Sequence, residues 1–161
     1  MRFQGKVWRH IPAGSFALHV GRILGADGRW NRVGVYGCLY TALTQKGAIA
    51  EWRKTLRGLD DTPKRRDVVS IVVDVSPIVD LTDPASSPIP PNSPFLTGDT
   101  DEDLEQCRQL ADTVRSFGYV GILAPSAALP GAKNLIIYID GPASAVSLED
   151  GGNRTAITRG P

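Results

Sequence analysis

A chain of 161 residues with 42% hydrophobic and 22% charged content is long enough to bury one sizeable core, and it has the make-up of a soluble globular domain. A net charge of +1 supplies no overall field for nucleic acid, a membrane surface or an acidic partner, so none of these is expected as a direct ligand. Two cysteines and two histidines without metal-ligand spacing exclude a disulfide framework, and no metal site is expected.

The N-terminus lacks an apolar run of signal-peptide length, and no later stretch approaches the roughly twenty apolar residues that span a bilayer. The expected location is therefore the cytoplasm. The basic group Arg53, Lys54, Arg57, Lys64, Arg65 and Arg66 reads as a solvated helix end whose cations complement the helix dipole, in preference to a nucleic-acid site.

In chain order, Lys6 to Ile11 predicts a first strand with Val7 and Arg9 on one face and Trp8 and His10 on the other. Residues 12–34 are Gly-rich and broken by charge, and read as loop. Val35 to Ala42 predicts a strand with Tyr36, Cys38 and Tyr40 sharing a face. Thr44 is placed to cap a helix from Gln45 to Leu56, whose apolar stripe is Ala48, Ile49, Trp52 and Leu56. Gly47 inside it costs about 1 kcal/mol relative to alanine, which predicts a tight contact there.

Asp67 to Val75, dense in valine and isoleucine, is the clearest strand. Residues 84–100 carry five prolines and read as a long surface loop. Asp99 or Thr100 then opens a helix with a buried stripe of Leu104, Cys107, Leu110, Ala111, Val114 and Phe117. Asp101, Glu102 and Asp103 suit its first turn, and Gly118 its C-cap. Tyr119 to Ala124 and Asn134 to Asp140 predict two more strands, and residues 146–161 a flexible tail. Strands and helices interleave without regular βαβ units, so the expectation is one mixed α+β domain rather than a doubly wound sheet.

Three residues in suggestive contexts could carry chemistry. Arg29, in Gly28-Arg29-Trp30-Asn31, offers a planar fork that matches phosphate oxygens two at a time. Gly28 permits close backbone approach, and Trp30 could stack on a base or a nicotinamide ring. The plain alternative is a turn with a surface arginine and a core tryptophan. Glu51 lies at the edge of its helix's apolar face, where a carboxylate needs a partner, and Arg9 or Arg29 could supply one. Such a carboxylate can bond a ribose hydroxyl or stabilise an oxocarbenium ion, unless it is a surface glutamate paired with Lys54 or Lys46. Ser126 follows a strand and Pro125. It is not in a nucleophile elbow, so it reads as a turn-former or as a hydroxyl that holds a sugar or phosphate oxygen. Tyr40 reads as a half-buried strand tyrosine within reach of a site at the strand end.

Four stretches, taken in order, resemble the RES domain, the toxin component of bacterial Xre–RES toxin–antitoxin systems. They are Trp8-Arg9; Gly28-Arg29-Trp30-Asn31; Gly37-Cys38-Leu39-Tyr40-Thr41-Ala42 running into Ala50-Glu51; and Ala124-Pro125-Ser126-Ala127-Ala128 followed by Asn134. The resemblance implies a catalytic, NAD-binding domain over residues 1–145, with a split mixed sheet and flanking helices similar to ADP-ribosyltransferase toxins. It also implies cleavage of NAD at the nicotinamide–ribose bond by phosphorolysis or hydrolysis, within a type II toxin–antitoxin pair.

By that resemblance Arg29, Glu51 and Ser126 are the catalytic positions, with Arg9, Trp30, Asn31, Tyr40 and Asn134 binding substrate. NAD is then a substrate, not a resident cofactor, and inorganic phosphate is a candidate co-substrate. The partner readings left open are an Xre-type antitoxin and a second copy of the chain. Two other functions stay open: a protein mono-ADP-ribosyltransferase using the same cleft, and a catalytically quiet interaction module.

Overall fold

A computed structural model describes residues 1–20, 28–56 and 65–157. They form β1 (Phe3–Pro12), β2 (Leu39–Ala42), α1 (Gln45–Leu56), β3 (Arg66–Val75), β4 (Ile78–Asp80), α2 (Asp101–Ser116), β5 (Gly121–Pro125), β6 (Lys133–Ile137) and β7 (Val146–Ile157). The strands make one mixed sheet in the order β4-β5-β6-β2-β1-β3-β7. This is the expected single α+β domain with a mixed sheet and flanking helices. Among the described residues no helix is long and apolar enough to cross a membrane.

Valine- and isoleucine-rich β3 pairs antiparallel with β1 along its whole length, from Phe3↔Val75 to Pro12↔Arg66. β2, β5 and β6 form a second antiparallel block, with β4 parallel to β5 at its edge. The two blocks meet at one registered pair, Trp8↔Ala42. Beyond it β1 runs on to Pro12 and β2 back to Leu39 without pairing, so the sheet is split there.

Alternation along each strand sends one set of side chains to a core shared by both blocks. Val7, Ile11, Val69 and Ile71 from one block meet Leu39, Leu123, Leu135 and Ile137 from the other. α1 covers the seam from outside, packing Ala48 against Ala42 and Val68 with Trp8 and Ile49 alongside. α2 covers the second block, with Cys107, Ala111 and Val114 against Ile122, Ala124, Ile136 and Tyr138.

Local chemistry explains the helix ends. The Thr44 hydroxyl accepts the Gly47 N–H at 3.0 Å. A Cβ at Gly47 would lie 3.1 Å from both Ala42 Cβ and Thr44 Oγ, which is the tight contact that the glycine foretells. α2 opens with a capping box in which Thr100 and Asp103 each accept the other's backbone N–H. After the C-cap Phe117, Gly118 takes the left-handed conformation at φ +85°.

Four expectations need correction. Residues 35–38 are not strand: Arg32 and Tyr36 form an isolated bridge around a turn with Gly34 at φ +75°, and β2 begins only at Leu39. Residues 84–100 are not simply a surface loop, because the 3-10 turn Pro94–Leu96 drives Leu96 fully into the α2 core. Phe117 is 76% exposed and lies outside the α2 stripe. The segment expected as a flexible tail is instead β7, hydrogen-bonded to β3 with a register shift between Val69 and Ile71. Of the basic group, Arg57 and Lys64 lie outside the described residues, as do residues 158–161 of the expected tail.

Candidate active site

A cleft of about 1470 Å³ opens at the split. Pockets for single drug-sized ligands run roughly 300–1,000 Å³, so this one admits something larger. Both sheet blocks contribute: Arg9 and His10 from β1, Tyr40 from β2, Glu51 and Lys54 from α1, and Asn134 from β6 all line it.

Glu51 is held by two neutral donors brought from far along the chain. Its Oε1 accepts the Ser126 hydroxyl at 2.9 Å and the Asn134 Nδ2 at 2.8 Å. Ser126 is 5% exposed, and its Oγ accepts the backbone N–H groups of Ala128 and Leu129, each at 3.1 Å. With both N–H groups donating to Oγ, the one hydroxyl proton is aimed at Glu51. The cationic partner expected for Glu51, Arg9 or Arg29, is not there. Neutral donors orient the carboxylate and leave its charge uncancelled. Asn134 Oδ1, beside it, is buried with no hydrogen-bond partner among the described residues.

The segment from Gly28 to Tyr36 is fastened to its surroundings. Arg32 bonds Glu105 and Asp112 on α2, Tyr36 donates to Asp112 at 2.8 Å, and Tyr138 donates to the Trp30 carbonyl at 2.7 Å. Tyr40 accepts the Trp30 N–H at 2.8 Å and donates to Asn31 Oδ1 at 2.7 Å, while the residue as a whole stays 37% exposed and lines the cleft. Burial of that hydroxyl holds the phenol well above its ordinary titration range, so it acts as a fixed hydrogen-bonding group. Asn31 is wholly buried and does not line the cleft; its Oδ1 also accepts the Gly28 N–H at 3.1 Å. A Cβ at Gly28 would overlap both the Tyr40 hydroxyl and Asn31 Oδ1, which explains the glycine. Trp30 lines the cleft but is 3% exposed, most of it packed in the α2 core.

Arg29 also differs from expectation. Instead of presenting an open fork, it donates through Nη1 to the Gly98 carbonyl at 2.5 Å and through Nη2 to Asp99 Oδ1 at 2.9 Å. Lys54 reaches the same Asp99 oxygen at 2.8 Å and the Ala127 carbonyl at 3.2 Å. Lys54 first, and Arg29 second, hold the Asp99 carboxyl below the usual carboxylate range. Arg29 is thus linked through Asp99 and Lys54 to Ala127, next to Ser126, which is buried behind Glu51 and does not itself line the cleft.

The β1–β3 pair brings to the cleft Arg9 from one face and His10 and Arg66 from the other. Arg9 donates to the Ala17 carbonyl at 3.1 Å, and burial with Arg66 nearby lowers its guanidinium to about 10. Arg66 spans its strand pair to His10 Nδ1, with Nη2 at 2.9 Å and Nε at 3.3 Å. Burial, and then Arg66 and Arg9, bring the imidazole down to about 3, so it is neutral and accepts at Nδ1.

Sequence reasoning passed over Lys54, Asp99, His10 and Arg66 as site residues. Lys54 had a usable signal, one helical turn beyond Glu51 on an amphipathic helix. Asp99 and Arg66 had none. Among the described residues no group of His, Cys, Asp and Glu is arranged to hold a metal ion. Cys38 is buried, which pushes its thiol up to about 12.

A split mixed sheet, with a carboxylate fixed by Ser and Asn in a cleft that partly buried arginines also line, defines a class of α+β domain with a polar, charged cleft. The RES domain model matches residues 6–155, and the chain belongs to that family. The fold is similar to that of a chain in the crystal structure of the M. tuberculosis MbcT-MbcA toxin-antitoxin complex. The TM-score is 0.65, with 16% identity over 98% of this chain and 85% of that one. None of the curated proteins matches the sequence significantly.

Proposed function

We propose that this chain degrades NAD by breaking the nicotinamide–ribose bond, passing the ADP-ribosyl group to phosphate or water. We further propose that it is the toxin of a type II pair restrained by an antitoxin protein. Membership of the RES family and fold likeness to a chain of a toxin–antitoxin complex support the second part. The observation that carries the first is the Glu51 carboxylate, fixed by Ser126 and Asn134 at the wall of a cleft roomy enough for a dinucleotide.

When the glycosidic bond breaks, its electron pair leaves with nicotinamide, whose ring nitrogen loses its charge, and positive charge develops at ribose C1′. A carboxylate oriented before the reaction stabilises that charge without reorganising. Asn134 helps to hold that carboxylate in place through its Nδ2. The exposed ring of Tyr40 offers nicotinamide an aromatic surface. Arg9 contributes positive charge for phosphate oxygens, while Arg29 fixes residues 98–99 at the cleft through Gly98 and Asp99. An oxygen of phosphate or water then bonds C1′, water losing a proton as it does so.

Purified protein incubated with NAD, with and without inorganic phosphate, should release nicotinamide. The accompanying sugar product, phosphorylated or not, names the acceptor. Intact NAD under both conditions would sink the proposal.

A further inference from the structure

Most ion-paired carboxylates of this fold spend both oxygens on their partners. Arg2 and Gln4 use both oxygens of Asp74, and Arg32 both of Glu105. Arg32 and Tyr36 divide those of Asp112, and Arg115 takes both of Asp140. Asp99 is different. Arg29 and Lys54 both donate to its Oδ1, at 2.9 and 2.8 Å, and its Oδ2 has no partner among the described residues. Asp67 also takes its donors on one oxygen, but it is buried and does not line the cleft. Asp99 does line it, with its side chain 62% exposed.

We infer that Asp99 Oδ2 accepts the 2′-hydroxyl of the adenosine-side ribose, so that the cleft takes NAD and turns away its 2′-phosphorylated counterpart, NADP. This rests on the reading of the cleft as an NAD site and adds to it a residue that selects the substrate. Asp99 is held in place from both sides. The Gly98 carbonyl accepts Arg29 Nη1 at 2.5 Å, and Thr100 is locked into the capping box of α2 with Asp103. A Cβ at Gly98 would lie 2.1 Å from Asp103 Oδ2, so only glycine permits that close seat. An acceptor fixed before binding loses little freedom when a hydroxyl docks on it.

The free oxygen also has the right polarity. An ionised carboxylate only accepts hydrogen bonds, so a ribose hydroxyl can donate to it. A phosphate on the same carbon is anionic at neutral pH and is repelled. Arg29 and Lys54 do not offset this, because both bond Oδ1 and both are more buried than the carboxylate they hold. Position points to the second ribose. Glu51 and Asp99 are the two carboxylates among the described residues that line the cleft. Lys54, one turn beyond Glu51 on α1, reaches Asp99 with the full length of its side chain. Asp99 thus stands off from the bond that breaks, which suits the far ribose of a dinucleotide whose near ribose meets Glu51.

Calorimetric titration of the full chain tests this with two probes, ADP-ribose and ADP-ribose phosphorylated at the adenosine 2′-oxygen. The wild type should bind the first about tenfold or more tightly than the second. In Asp99→Asn the amide oxygen faces the two cations and its NH2 faces the cleft. ADP-ribose should then bind roughly ten- to hundredfold more weakly, the loss expected for a bond to a charged acceptor, while the 2′-phosphate binds no worse. The assignment is refuted if the wild type does not bind ADP-ribose, or does not prefer it to the 2′-phosphate. It is equally refuted if Asp99→Asn leaves both affinities unchanged or weakens both by the same factor, as a carboxylate that only holds residues 98–99 in place would. Should Asp99→Asn not fold, Asp99→Glu keeps the charge and moves the free oxygen by one methylene. It should bind ADP-ribose several-fold more weakly and still reject the 2′-phosphate; an unchanged affinity for ADP-ribose refutes the assignment. Nicotinamide release from NAD by the wild type is read separately. Release together with an unaltered probe preference in Asp99→Asn loses the role of Asp99 alone. A preference that Asp99→Asn abolishes, without release, loses the NAD-cleaving reading alone.

Discussion

The two walls of the cleft treat charge in opposite ways. On the α1–β6 wall, a carboxylate is held by a serine and an asparagine, neutral donors that set its direction and leave its charge intact. On the β1–β3 wall, two arginines, one on each face of the strand pair, lie partly buried with carbonyl and imidazole acceptors and no carboxylate among the described residues. The split sheet produces this contrast, since Trp8↔Ala42 keeps the blocks together while the rest of β1 and β2 stand apart. A fold that neutralised either wall internally would gain stability and lose its complementarity to the proposed substrate NAD, whose nicotinamide is cationic and whose central pyrophosphate is anionic.

The sharpest way to break the contrast is to loosen the carboxylate. Ser126→Ala removes one of two donors to Glu51 and frees the Ala128 and Leu129 N–H groups. NAD turnover should fall on the order of 10²-fold, as when a reacting group is displaced by about 1 Å. Wild-type rates in steady-state assays would mean that Asn134 alone sets the geometry.

Tyr40→Phe acts on the same wall through structure. The Trp30 N–H and Asn31 Oδ1 each lose a partner in a buried setting, costing about 1–3 kcal/mol. At about 2–4 °C per kcal/mol for a chain of this size, calorimetry should show a lower Tm. An unchanged Tm would mean that water replaces the hydroxyl.

The arginine wall should announce itself through pH. His10 titrates near 6.5 when unfolded and is brought down to about 3 in the fold, by burial first and the two arginines after it. The folded state therefore binds fewer protons, and its contribution to stability is full above 6.5 and drains away as pH falls towards 3. His10→Gln should flatten the Tm profile across that window. A variant with the wild-type slope would place the proton uptake elsewhere, for instance at Asp67, whose carboxyl is held low by the Gly14 N–H and then Arg154.

Much of the frame was legible because short-range rules governed it. The valine run of β3, the stripe and cap of α1 and the acidic first turn of α2 all followed from local patterning. β7 was not, because its face is polar and its Gly151-Gly152 reads as a breaker. Strand pairing with β3 overrides that preference, and Gly151 sits where a Cβ would overlap Ser70. Of the candidate site, Arg29, Glu51 and Ser126 were singled out from the sequence, but their contacts were not legible there. The expectation that a partly desolvated carboxylate seeks a cation placed Arg9 or Arg29 beside Glu51, whereas the donors come from residues 75 and 83 positions away. Local pattern carries no information on such pairs. Arg66 stayed hidden because its bond to His10 joins residues 56 positions apart, which only the assembled fold displays.

Glu51→Gln tests the central claim most directly, since it keeps the shape of the side chain and removes the charge. Single-turnover rates of nicotinamide release and the Kd for NAD should be measured on the same preparation. If the carboxylate stabilises charge at C1′, the rate should fall by roughly 10²–10³ while Kd shifts far less, because the interaction strengthens in the transition state. A variant that releases nicotinamide at the wild-type rate, or that loses binding and rate together, would contradict it.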